Sequence, residues 1–150
     1  LALKSGVLDF ITTDHSPALA NIKEIETGNL QKAWGGIAGI QFLLTGSWTA
    51  LKDTLTIEEF IPLVTSKPAQ LIKAKTKGEI KIGYDADIVI WNEEAKHQVT
   101  ETEVLFKHKI SPYIGETLTG KVIETIVNGK TVFQNNKIIN KNIGQWLKAQ

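Results

Sequence analysis

Apolar and polar positions along this chain predict one strand and a loop, then a helical rhythm from Ile37 to about residue 74, and a two-residue rhythm beyond Lys77. The opening stretch Leu8-Asp9-Phe10-Ile11-Thr12-Thr13 is short, apolar and β-branched, which predicts a strand. It runs out at Asp14-His15-Ser16-Pro17, a polar cluster closed by proline. Residues 18 to 36 mix both classes around Gly28, Gly35 and Gly36, predicting a long loop with a helical turn near Leu30 to Trp34. Apolar residues at 37, 40, 43, 44, 48 and 51 then keep a helical period over Ile37 to Lys52. Thr56 with Glu59 three positions on is a capping box, opening a helix through Val64. Ser66 is the expected cap of a further short helix, with Pro68 in its first turn.

The second rhythm starts at Gly78. Gly78 to Gly83 predicts a strand, Tyr84-Asp85-Ala86 a turn, and Asp87 to Trp91 a buried strand. Gly120 to Val127 alternates, meets Asn128-Gly129 and resumes at Lys130 to Phe133, the signature of a type I′ hairpin. A short amphipathic end, Ile143 to Leu147, predicts a terminal helix.

Composition narrows the classes of function. With 150 residues, 42% of them hydrophobic, the chain suffices for one domain or two small pieces of a larger one. A net charge of +1 argues against nucleic-acid or membrane-surface binding. All 17 basic residues are lysine, so the guanidinium fork that reads phosphates and guanines is missing. Cysteine is absent, which excludes disulfides and thiolate metal sites and suits a cytoplasmic protein. The apolar run from Ile37 to Leu51 is too short and too interrupted for a membrane span. There is no methionine and the chain opens Leu1-Ala2-Leu3-Lys4, so either the initiator was removed or residues upstream are missing, and a fragment is the expected reading.

Asp14 is the leading candidate for chemistry. A carboxylate just after an apolar strand stands where open α/β folds and (β/α) barrels place their catalytic groups. There it can bind a metal or take a proton from a metal-bound water. The same position also suits an Asx turn into Ser16-Pro17, and His15 suits a ligand or a hydrogen-bonded loop histidine equally. Gly35 and Gly36 would let backbone N–H groups approach a ligand, or simply start a helix. Trp34 is expected in the core, and His108, between Lys107 and Lys109, on a solvated surface. Neither a complete metal-binding motif nor a nucleophile elbow occurs.

Thr13-Asp14-His15-Ser16-Pro17 resembles the strand-8 motif of the cyclic amidohydrolases, the dihydroorotases, dihydropyrimidinases and allantoinases. Gly78 to Val89 resembles the strand pair that opens the C-terminal half of that family's small β domain. Ser111-Pro112-Tyr113, Gly115, Leu118, Gly120-Lys121-Val122 and Val127-Asn128-Gly129 resemble its closing stretch. Lys32-Ala33-Trp34-Gly35-Gly36-Ile37-Ala38-Gly39-Ile40-Gln41 is similar to the allantoinase version of a loop that differs among members. Ala18 departs from the family, standing where dihydroorotases carry a substrate-binding histidine, dihydropyrimidinases an aromatic residue and allantoinases often a cysteine.

The resemblance implies an α/β fold: the last strand and helices of a metal-dependent hydrolase (β/α)8 barrel over residues 1–74. Residues 75–150 would be part of a small C-terminal β-sandwich domain. It further implies that Asp14 is a metal ligand and general base, and that His15, Ser16, Gly35 and Gly36 bind substrate. The metal would be divalent, zinc by expectation, and binuclear in the full-length enzyme; the other ligands lie on earlier strands. The substrate would be a small cyclic ureide or imide, allantoin first, and the full-length protein a homo-oligomer. A hydantoinase, dihydropyrimidinase or dihydroorotase-like hydrolase is the alternative, as is a non-catalytic paralogue acting as an assembly module. The isolated chain is expected to be inactive.

Overall fold

The computed structural model describes residues 2–147. Short 3₁₀ turns at Ala20–Lys23 and Ile40–Phe42 lead to α1 (Leu43–Leu51), α2 (Ile57–Val64) and α3 (Ser66–Leu71). Four strands follow, β1 (Ile88–Gln98), β2 (Thr117–Val127), β3 (Lys130–Gln134) and β4 (Lys137–Ile138). They form one antiparallel sheet in the order β1-β2-β3-β4. Among the described residues, no helix is long and apolar enough to cross a membrane.

Local chemistry explains the elements that match expectation. The Thr56 hydroxyl accepts the Glu59 N–H at 3.3 Å, and the Glu59 carboxylate accepts the Thr56 N–H at 3.0 Å, closing the capping box that starts α2. That orientation sinks Phe60 and Leu63 into the core. At the hairpin, Asn128 and Gly129 have φ of 49° and 72°, the paired left-handed conformation of a type I′ turn. A second such pair, Asn135 and Asn136 at 51° and 62°, joins β3 to β4 and was not foreseen.

Other expectations are corrected. The segment 8–13 carries no strand; a strand exists only through its ladder, and Ile11 N–H is taken by the carbonyl of Leu63 at 3.0 Å. The helical period from Ile37 becomes helical only at Ile40, because groups before it bond elsewhere: Ile40 N–H to His15 Nδ1, and the Ala38 carbonyl to Ser111 Oγ. Ser66 is the first residue of α3 rather than its cap, and the preceding Thr65 turns its hydroxyl back to the Ile61 carbonyl at 2.8 Å. The segment 78–83 has no strand beside it, and Ile80 and Ile82 are 89% and 103% exposed. β1 starts as expected but is half open to solvent at Val89 and Ile90 rather than buried. Residues 143–147 carry no helix; a lone short amphipathic turn has too few backbone bonds to hold itself together.

The core lies where the helices meet the sheet. One cluster gathers Trp48, Leu55, Phe60 and Leu63 with Trp91 of β1 packed against it. The other joins Phe42 to Val99, Val104 and Leu118. Polar bonds cross the same seam: Trp48 Nε1 donates to the Glu93 carbonyl at 3.0 Å, and Thr119 N–H donates to Thr49 Oγ1 at 2.7 Å. Gly120, at φ 98°, lets the strand pass under Trp91; a Cβ there would stand 2.7 Å from the indole.

β1 slips register between Ile90 and Trp91 and again between Asn92 and Lys96. Within the second irregularity the Asn92 side-chain oxygen accepts the N–H groups of Glu94 and Ala95 at 3.0 and 3.1 Å. At the other end of the strand, Asp87 accepts the Asn128 N–H at 2.8 Å and pairs with Lys77, which also pairs with Asp85 at 3.1 Å. The Lys77 ammonium first, then the Asn128 N–H, holds the Asp87 carboxyl below the ordinary carboxylate range, and Asp87 in turn raises Lys77.

Candidate functional site

The turn Asp14-His15-Ser16-Pro17 follows the extended segment that leans on α2. Asp14 is exposed and sits at φ 45°, left-handed backbone that aspartate tolerates at some cost in strain. Its carboxylate makes no hydrogen bond among the described residues. The neighbours on its turn hold partners elsewhere in the protein. His15 Nδ1 accepts the Ile40 N–H at 3.2 Å, which leaves the proton of the neutral ring on Nε2. The same ring stands edge-on to Phe106, with centroids 5.4 Å apart.

Ser16 is the hub between this turn and the Trp34-Gly35-Gly36 loop. Its N–H donates to the Ile37 carbonyl at 2.9 Å, and its hydroxyl donates to the Gly35 carbonyl at 3.3 Å. The Trp34 indole N–H donates to the same hydroxyl oxygen at 3.3 Å. Gly36, at φ 72°, packs so tightly that an added Cβ would stand 2.5 Å from Ser16 Cβ. Asp14, His15, Ser16, Gly35 and Gly36 therefore belong to one small region. The Ser16 hydroxyl is already spent within the protein, and Trp34 is 60% exposed rather than in the core, held out by its bond to Ser16.

Sequence reasoning missed Lys23. Its ammonium lies 3.3 Å from the Ser16 carbonyl, 3.2 Å from that of Trp34, 3.1 Å from that of Gly35 and 2.5 Å from that of Gly36. Nothing in the spacing of a lone lysine within a loop announces such a role. Phe106 and Gln41 were missed for the same reason. The Gln41 carboxamide bridges the Glu103 carbonyl at 2.7 Å and the Leu105 N–H at 2.8 Å, tying the loop to a segment far along the chain.

A metal needs several converging donors, and no group of three or more His, Cys, Asp or Glu side chains comes together among the described residues. Asp14 fits one ligand position, being exposed and unpartnered, but the residues present do not complete a centre. His97 borders a cleft of about 410 Å³ between the start of α1 and the sheet, together with Gln41, Phe42, Val122 and Phe133. That cleft includes none of Asp14, His15, Ser16, Gly35 or Gly36.

Comparison with known proteins adds a second line of observation. Residues 1–132 match the amidohydrolase family. The allantoinase of Arabidopsis thaliana is 39% identical over 139 residues, 91% of this chain and 28% of the relative. That of Saccharomyces cerevisiae is 34% identical over 147 residues, 97% of this chain and 32% of its own length. Among solved structures, the L-hydantoinase (dihydropyrimidinase) of Arthrobacter aurescens superposes with a TM-score of 0.83 at 28% identity, covering 93% of this chain and 32% of that one. The chain thus spans roughly 30% of the length of these relatives.

Proposed function

Because the chain belongs to the amidohydrolase family, we propose that it is the C-terminal part of a metal-dependent hydrolase that opens the hydantoin ring of allantoin to give allantoate. The observation that carries this reading is the meeting of the Asp14 turn with the Trp34-Gly35-Gly36 loop through Ser16. Two segments separated in sequence are thereby made one site, and both resemble cyclic amidohydrolase motifs. Identity of 32–39% to allantoinases supports the substrate. The likeness to a hydantoinase structure favours, as the second reading, a hydantoinase or dihydropyrimidinase using the same chemistry.

In this reading residues 1–74 are the last strand and helices of a (β/α)8 barrel and residues 75–150 part of a small β-sandwich. The state of residues 8–13 and 78–83 accords with that, since both have strand composition and neither has a strand partner among the described residues. A pair of divalent ions, zinc by preference, would supply an activated water and a polarised ring carbonyl. Asp14 would be one of their ligands, with the remaining donors contributed from outside this chain. Its carboxylate accepts the proton released as water adds to the ring carbonyl and returns it to the leaving nitrogen as the amide C–N bond breaks. His15 orients the turn through Ile40, and the Gly35–Gly36 backbone holds the ring. The full-length enzyme is read as a cytoplasmic homo-oligomer.

The test is direct. In the full-length enzyme, Asp14→Asn should lower kcat/KM for allantoin by about 10³-fold or more with little change in Tm. Residues 1–150 alone, given zinc, should show no turnover. Allantoin hydrolysis that survives Asp14→Asn would reject the reading, and a full-length enzyme that prefers dihydropyrimidines would promote the second one.

A further inference from the structure

We propose that Phe106 and Gln41 are positioning residues for Asp14: they brace its turn from the connection between β1 and β2, and His15 passes that support on. The inference rests on the cyclic-amide reading of the site and deepens it. Antiparallel neighbours are commonly joined by about 2–5 residues. The link from β1 to β2 instead runs over residues 99–116. Its root is closed by the Val99 N–H, which donates to the Glu116 carbonyl at 2.9 Å, and by the Gly115 N–H, which donates to the Val99 carbonyl at 2.8 Å. A detour tied at its root keeps its far part in one place, and that part lies against residues 37–41.

Residues 37–41 are bonded to the Asp14 turn and to the detour in alternation. The Ile37 carbonyl accepts the Ser16 N–H at 2.9 Å, and the Ile40 N–H donates to His15 Nδ1 at 3.2 Å. Between them the Ala38 carbonyl accepts the buried Ser111 hydroxyl at 2.8 Å. The Gln41 carboxamide donates to the Glu103 carbonyl at 2.7 Å and accepts the Leu105 N–H at 2.8 Å. Those two bonds fix the backbone just before Phe106, whose ring meets that of His15 with centroids 5.4 Å apart and planes crossing at 65°. An edge-to-face pair is directional, so it sets the tilt of the imidazole as well as its place. The His15 ring is thus held twice, by Ile40 at Nδ1 and by Phe106.

Asp14 depends on that hold. Its backbone, at φ 45°, occupies a region that persists only where the surroundings over-determine it. Its carboxylate makes no hydrogen bond among the described residues, so it does nothing to fix itself. Upstream, the amide of Ile11 is bonded to the Leu63 carbonyl at 3.0 Å; downstream, His15 is the adjoining residue and carries the first tie. A base that drifts costs chemistry more than binding, because proton transfer is far more sensitive to placement than is contact with the ring.

The measurement is made on the full-length metal-loaded enzyme with allantoin and hydantoin as probes. Phe106→Ala should lower kcat by about tenfold and change KM by less than about threefold, at constant metal content. Phe106→Tyr, which keeps the ring edge, should bring kcat back to within about twofold of wild type. Phe106→Leu, which fills the space without an edge, should recover Tm but not kcat. Gln41→Leu should lower kcat in the same sense by about threefold. In a His15→Ala background, Phe106→Ala should change kcat by less than about twofold, since its route is gone. If Phe106→Ala does not fold, Phe106→Leu carries the same measurements. An effect on KM alone, rescue by Leu as complete as by Tyr, or additive losses in the double variant would overturn the proposal.

Hydrogen exchange separates the brace from the activity. The Ile40 amide, whose acceptor is His15, should exchange about tenfold faster in Phe106→Ala, while the amides of residues 121–127 keep their wild-type rates. If the wild-type enzyme cleaves neither probe, the cyclic-amide reading fails. Faster exchange at Ile40 would then still uphold the brace, and an unchanged rate would reject it as well.

Discussion

The two parts of the chain satisfy their backbones in opposite ways. In β1 to β4 the inward-facing N–H and C=O groups are met by neighbouring strands, through one ladder. In residues 9–42 there is no ladder and only two short 3₁₀ turns. Here side chains do the work of a second strand: His15 for Ile40, Ser16 for Gly35, Lys23 for Trp34 and Gly36, Gln41 for Glu103 and Leu105. A ladder repeats and averages its errors. A loop held by single side chains places each backbone group individually, which is what a binding site needs and what makes it depend on a firm neighbour.

That neighbour is the seam of α1 on the sheet. Trp48→Ala removes a buried indole from the cluster of Leu55, Phe60 and Leu63 and strands the Glu93 carbonyl. A loss of about 3–5 kcal/mol is expected, with helices and sheet melting in one transition by circular dichroism. Two separate transitions would show that the sheet stands alone and the comparison is wrong. A smaller lever acts on one side only. Thr56→Ala should cost about 1 kcal/mol and speed amide exchange at residues 57–64 and at Ile11, which bonds to Leu63, while residues 117–134 stay protected.

The smallest effect belongs to the sheet alone. Asp87 is held below its usual range by Lys77 and then by the Asn128 N–H. Such a depressed carboxyl contributes stability that is full above its unfolded value, near pH 4, and fades as pH falls through the folded one. Lys77, raised by Asp87, contributes in the mirror sense, its share fading only at strongly alkaline pH. Because the pair is partly exposed, Asp87→Asn should cost about 1 kcal/mol or less at neutral pH. Urea midpoints of wild type and variant should draw together by pH 3. A constant difference from pH 7 to pH 3 would remove the ion pair as its cause.

What could be foreseen in the sequence was what is local. Thr56 and Glu59 find each other across one turn, and Asn128-Gly129 carries its backbone conformation in its residue types. The helical period from 40 to 51 announces α1, but of its apolar positions only Trp48 is buried; Ile40 is exposed, and Phe42 and Thr45 share the buried face instead. Strand composition at 8–13 and 78–83 was legible too, but a strand is a relation between two segments, and the sequence of one does not supply the other. The site was half legible: the Asp14 turn and the Gly35–Gly36 loop stood out by resemblance, while their joining by Ser16 and Lys23 did not. A lysine side chain reaches backbone carbonyls eleven to thirteen residues away, a distance that no periodicity encodes.

The irregular middle of β1 also bears on how the molecule behaves in a crowd. Its outer side faces no strand among the described residues, and a straight open edge of that length invites strands from other molecules. Where the register slips, Asn92 occupies the amides of Glu94 and Ala95, and Glu93, Glu94 and Lys96 line the stretch with charge. A foreign strand arriving there finds the amides of Glu94 and Ala95 and the Glu93 carbonyl already taken, beside charged side chains that prefer water. The distortion that lets Trp48 reach the Glu93 carbonyl thus also guards against fibril growth from the sheet's longest exposed flank.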